Sequence, residues 1–304
     1  MAEPVHVFDR LAVRRRRDRA GRSAEPATFL FDTIAERLTD RLDDLRRSFA
    51  DALILGALGG RLAELVAAQP GLRTLITADL SEALARRAAG PAVVADEEAL
   101  PFAAGAFDLI MGGFSLHAVN DLPGALVQAR RALRPDGLFL AAMAGGQTLF
   151  ELRRALIEAE AEIEGGASPR VAPFAELRDA GALLQRAGFA LPVADQDTIT
   201  VSWPDALALM ADLRAMGEAN ALSERLRRPT RRATLLAAAG RYRELFGDDR
   251  GRIPATFQIL YLTGWAPGPG QQKPLAPGSA AARLADALGA EERSAGEPAD
   301  PKKA

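Results

Sequence analysis

The segment "DALILGALGGRLAELV", residues 51–66, reads as a buried strand, a glycine-rich turn and the opening of a helix. The apolar run "ALIL" suits a strand covered on both faces, and the amphipathic "GRLAELV" suits a helix packed on one. Gly56, Gly59 and Gly60 stand at the joint, where the missing Cβ lets a ligand come close to the backbone.

The alternation continues downstream. Short apolar runs, "TLITADL" (74–80), "AVVAD" (92–96), "FDLIMGGFS" (107–115) and "GLFLAAMAG" (137–145), alternate with helical stretches such as "SEALARRAA" and "LPGALVQARRAL". This order predicts an α/β fold, a mostly parallel sheet with helices on both faces. In "LRPDGLFL" (133–140), Pro135 and Gly137 signal a helix stop before a strand. A helix is expected over 147–164, and "AELRDAGALLQRAGF" forms another, closed by Gly188. "DTITVSW" (197–203) and "ATFQILYLTGW" (255–265) read as strands. Residues 204–250, too many for a hairpin turn, are expected to form a helical cap inserted before the last strand. The organisation expected is a basic helical segment (1–50), a central domain (51–265) and a largely disordered tail (266–304), in which "AAARLADAL" forms one short helix.

With 304 residues, 48% of them hydrophobic, the chain can bury a full core. Its 38 basic and 40 acidic residues nearly cancel, so no global charge draws it to nucleic acid or to an anionic membrane. The absence of cysteine excludes disulfides, thiolate metal sites and cysteine nucleophiles, and with only His6 and His117 no metal site is expected. No apolar run reaches the roughly 20 residues of a membrane-spanning helix. The expectation is a cytoplasmic protein without an integral membrane segment, with peripheral membrane association left open.

In an open α/β sheet, ligands bind beyond the carboxyl ends of the strands. Gly56 and Gly60, with Ala57 between them, follow the first strand. Asp79, followed by Leu80, ends the second, where an acid can accept both ribose hydroxyls. Asp96 and Glu97 end the third, where a carboxylate and the adjacent backbone can meet an adenine edge, and Phe114 ends the fourth. Turn glycines and solvated loop acids are the plainer alternative. His117 follows the fourth strand as the best catalytic candidate, able as a neutral imidazole to accept a proton; packing against the next helix is its alternative. Asp121 is the second catalytic candidate, equally suited to cap the helix "LPGALVQARRAL". Two basic clusters remain, one from Arg10 to Arg22 and one from Arg225 to Arg232. They suit solvated helix faces or an acidic protein surface, and no aromatic interleaving supports nucleic-acid binding.

The stretch "ADEEALPFAAGAFDLIMGGFSLHAVNDLPGALVQARRALRPDGLFLAAM" closely resembles the class I S-adenosylmethionine-dependent methyltransferases, in which an acid, "LPF", "FDL" and "LRPDG" follow in this order. "VFDR", "SLHAVNDLPGAL", "GGQTLFELR", "MGEAN" and "PATFQILYLTGW" narrow the resemblance to the mitochondrial complex I assembly factors of methyltransferase fold and their bacterial relatives. The resemblance spans roughly residues 7–265. It implies a Rossmann-like, seven-stranded methyltransferase fold and S-adenosylmethionine as cofactor. It further implies a protein substrate, such as a respiratory complex I subunit, modified by methyl transfer or arginine hydroxylation. A neighbouring family methylates malonyl-acyl carrier protein in biotin synthesis and shares the "FDR" opening.

The methyltransferase turn usually reads acid-x-Gly-x-Gly-x-Gly, and here those places hold Ile54, Gly56, Leu58 and Gly60. The lost acid and middle glycine belong to the methionyl end of the cofactor, whereas Asp79 and Asp96 keep the nucleoside end. Losing one charge-assisted hydrogen bond costs about 1.5–3 kcal/mol, so weak cofactor binding is expected. A non-catalytic assembly chaperone is the alternative function that this turn suggests.

Overall fold

The computed structural model describes residues 6–23, 27–57, 59–88, 90–271 and 288–290. Residues 1–269 form one unit and residues 270–304 a second. Most of the expected tail, including its short helix, lies outside the described residues.

The sheet of the first unit has seven strands: β1 (Asp51–Leu55), β2 (Thr74–Asp79), β3 (Ala92–Val94), β4 (Phe107–Gly113), β5 (Leu133–Ala144), β6 (Ala190–Trp203) and β7 (Ile253–Trp265). Their spatial order is β3-β2-β1-β4-β5-β7-β6. The first five pair in parallel, while β7 runs antiparallel to β5 and to β6. The order reverses between β1 and β4, which puts the crevice for a ligand at their carboxyl ends.

The parallel strands are apolar on both faces because helices cover both. On one side Ile54, Met111 and Leu140 pack with α2 (Phe29–Asp43), whose Leu30, Ile34, Leu38 and Leu42 recur every fourth residue. On the other, Leu53, Ile110 and Phe139 pack with α5 (Leu122–Ala132) and α7 (Leu177–Arg186). Burying one such side chain is worth about 1.5–3 kcal/mol. The helix α2 therefore shares the core of the sheet. Arg37 and Arg41 of α2 also pair with Asp197 and Asp195 of β6.

Two strands begin earlier than their apolar runs. β5 takes in "LRPDG", with Asp136 left-handed at φ 62° and the register shifted between Phe107 and Leu109 of β4. β6 starts at Ala190, seven residues before its clean alternation, because Pro192 lies in a register shift against β7. Residues 204–250 hold α8 (Ala206–Ala215) and α9 (Arg232–Phe246). α9 packs along α6 (Phe150–Glu164), and the Tyr242 hydroxyl donates to the Pro254 carbonyl at 2.7 Å.

Candidate functional site

The turn after β1 is built on backbone that glycine favours: Gly56 and Gly60 have φ of 85° and 81°, and Gly60 leads into α3 (Arg61–Ala67). A Cβ on Gly56 would lie 2.8 Å from Cβ of Ser115. The Ala57 amide donates to Oδ2 of Asp79 at 2.7 Å, and the Ser81 amide donates to Oδ1 at 2.7 Å. Asp79 thus ties the turn to the end of β2 while being 0% exposed. Burial pushes its carboxyl up to about 6, outweighing the Arg17 charge and the two amides.

Ile54 points into the apolar core with Phe114 and Leu62, so the place of the family's acid serves packing. Leu58 lies outside the described residues. Asp96 and Glu97 follow β3, and both pair with Arg10 of α1 (Arg10–Gly21). Arg17, 1% exposed, places Nη1 3.2 Å from Oε1 of the buried Glu97 and Nη2 3.5 Å from the Ser115 carbonyl. Although burial opposes charge on Glu97, Arg17 and Arg10 hold its carboxyl down to about 2. Leu80 is buried against Val13 of α1 and Ala118. Phe114 is left-handed at φ 73°, with its ring centroid 4.6 Å from that of His117.

The 3-10 turn Leu116–Ala118 carries His117. Its Nε2 lies 3.1 Å from Oε2 of Glu218, in the loop after α8. Among the described residues, His117 Nδ1 and Glu218 Oε1 are buried without a hydrogen-bond partner. Burial favours a proton on Glu218, but the opposite charges of His117, Arg17 and Arg16 prevail and hold its carboxyl below the ordinary value. The pair lines a cavity of about 410 Å³, walled by Leu149, Leu152, Phe174 and Met210, with Arg17 on its floor. This size suits a small ligand or one inserted side chain.

Asp121 is not in this group. Its side chain is exposed and accepts from the Gly124 amide at 2.8 Å, as the N-cap of α5, which corrects its reading as a catalytic residue. Arg17 and Glu218 went unread as site residues. For Arg17 the signal is the helical face shared with Arg10 and Val13; for Glu218 it is an acid directly after Gly217, a helix-ending glycine at φ 85°.

A family model described as a methyltransferase domain matches residues 53–141. The arginine-hydroxylase NDUFAF5, mitochondrial, of Danio rerio is 42% identical over 288 residues, which cover 93% of this chain and 89% of the relative. The malonyl-[acyl-carrier protein] O-methyltransferase of Methylovorus sp. (strain MP688) is 30% identical over 88% of this chain and 92% of that protein. Among solved structures, the YcgJ protein of Bacillus subtilis shares the fold at a TM-score of 0.52, with 14% identity over 76% of this chain and 99% of that one. The human and rat NDUFAF5 proteins are likewise named mitochondrial, and this overturns the expectation of a plain cytoplasmic location.

S-adenosylmethionine is the cofactor of this superfamily; Asp79 beside the turn and Asp96 and Glu97 after β3 are the acids that would meet its nucleoside half, and in this structure each is bonded within the protein, Asp79 to two amides and the other two to Arg10. When bound, the cofactor supplies a methyl group on a cationic sulfonium. The seven-stranded sheet, the matched domain and the identity across nearly the whole chain agree: this protein belongs to the arginine-hydroxylase NDUFAF5 family of the S-adenosylmethionine-dependent methyltransferase superfamily.

Proposed function

We propose that this protein hydroxylates an arginine of a protein partner, a respiratory complex I subunit, with the arginine side chain inserted into the cavity beside His117 and Glu218. The observation that carries this reading is the His117–Glu218 pair among the residues lining the cavity, each with one buried polar atom that has no hydrogen-bond partner among the described residues. A carboxylate in such a cavity is a receptor for a guanidinium, and Leu149, Leu152 and Phe174 suit the methylene stem, while Arg17, Arg170 and Arg214 also line it. In this reading Glu218 orients the guanidinium, and His117 positions Glu218 through Nε2. Hydroxylation replaces a C–H by C–OH. The oxygen comes from an oxidant of the dioxygen class, whose second atom leaves as water after a reductant supplies two electrons and two protons.

The test is mass analysis of complex I subunits from cells lacking the protein, complemented with wild type or Glu218→Gln. The expected result is one arginine that gains a single oxygen atom with wild type and stays unmodified with the variant. A gain of one CH₂ would establish methyl transfer instead, and an unchanged subunit set would overturn the enzymatic reading.

A further inference from the structure

We infer that α1 is an intramolecular plug: it occupies the adenosine side of the cofactor site through Arg10, Val13 and Arg17, and the cofactor enters by displacing it. This rests on the reading that the cofactor binds at the strand ends. Along α1, successive inward residues take the positions a nucleoside needs. Arg10 holds Asp96 and Glu97 and donates to the Ala118 carbonyl at 2.9 Å. Val13 covers Leu80. Arg17 neutralises Glu97 from a fully buried position. Asp18 accepts from the Ser81 hydroxyl at 2.6 Å, next to Asp79. The space beside Ala57, Gly59 and Gly60, closed by Ala20 of α1 together with Phe31, Leu84 and Met216, is a cavity of about 30 Å³, room for a water molecule and not for a nucleoside.

The chemistry of the contact makes it exchangeable. The buried apolar residues of α1 are Ala12, Val13 and Ala20, whereas α2 buries Leu30, Phe31, Ile34, Leu38 and Leu42. Releasing α1 therefore exposes little apolar surface. What it does leave is a pair of acids freed from their arginines, Asp96 and Glu97, whose oxygens can then accept from the hydroxyl and amino groups of a nucleoside. Arg17 also adds positive charge to the cavity that holds Glu218, so its departure favours a guanidinium there.

The test uses S-adenosylhomocysteine and the whole chain. Hydrogen exchange with and without the ligand should show residues 10–21 losing protection on binding, while residues 56–60 and 79–81 gain it. Calorimetry should show Arg10→Ala binding the ligand roughly tenfold more tightly than wild type, because the variant shifts the population toward the open site. Ligand binding that leaves α1 equally or more protected overturns the plug, as does no binding to either protein at millimolar ligand. Binding with α1 unmoved leaves the arginine pocket standing; released α1 with an unaltered subunit in cells overturns the pocket and leaves the plug.

Discussion

Oε2 of Glu218 lies 3.1 Å from Nε2 of His117, and the other polar atom of each side chain is buried without a hydrogen-bond partner among the described residues. Two buried groups that satisfy only half of each other are costly unless a third group completes them. On the proposed reading a bound guanidinium completes Glu218.

Glu218→Gln should weaken binding of an arginine-containing peptide by about ten- to hundredfold, the loss of one charge-assisted hydrogen bond. The same peptide with citrulline in place of arginine should bind wild type as poorly as the variant. Titration calorimetry measures both, and equal affinity of wild type for the two peptides would place the pocket elsewhere.

The buried acids set opposite pH dependences. Asp79 has a folded value of about 6 against an ordinary 3.8, so between them the folded chain keeps a proton the unfolded chain has released. Its contribution to stability is therefore present below about 4 and lost as pH rises to about 6. Glu97, held at about 2 against an ordinary 4.5, contributes stability present above 4.5 and lost as pH falls toward 2. Denaturant titrations from pH 4 to 7 should show Asp79→Asn with a flatter profile than wild type. Parallel profiles would show that Asp79 is charged throughout.

Asp121→Ala removes the cap of α5 and should cost about 1 kcal/mol in urea unfolding. Asp121→Asn should restore most of it, and both variants should bind substrate peptide as wild type does. A binding defect in Asp121→Asn would return this residue to the reacting set.

Gly56→Ala places a Cβ 2.8 Å from that of Ser115 on a backbone with φ of 85°. The left-handed backbone alone costs roughly 1–2 kcal/mol, and the clash adds to it. Adding Ser115→Gly should recover only the clash. A double-mutant cycle reads this coupling, and strict additivity would mean that the turn moves away from Ser115.

The alternation of strands with helices and the glycine turn were legible because each rests on local pattern: apolar runs and punctuating glycines. Asp121 was legible only as a choice between cap and catalyst, which the Gly124 amide decides. Glu218 and Arg17 carry weaker marks, a helix-ending glycine before the one and a helical face shared with Arg10 and Val13 for the other, and neither mark says what the side chain meets. Glu218 meets His117 across 101 residues of chain, and Arg17 meets Glu97 across 80. Nothing in "RRRR" distinguishes the one arginine that turns inward until β3 and α1 are placed together. The plainer reading of the basic cluster, a solvated face, holds for Arg14 and Arg15 and fails for Arg17.

The N-terminal edge of the site is fastened from far along the chain: Phe8 bridges Leu222, the Asp9 amide donates to the Ala221 carbonyl at 2.9 Å, and Arg225 reaches Asp9 across 216 residues. During synthesis the first helix leaves the ribosome long before its anchor exists. The sheet from β1 to β5 can form meanwhile, and Arg10 and Arg17 can already meet Asp96 and Glu97. The anchor of Phe8 and Asp9 is added only once the loop beyond α8 has been translated, so the last fastening of α1 is a late contact of the nascent chain.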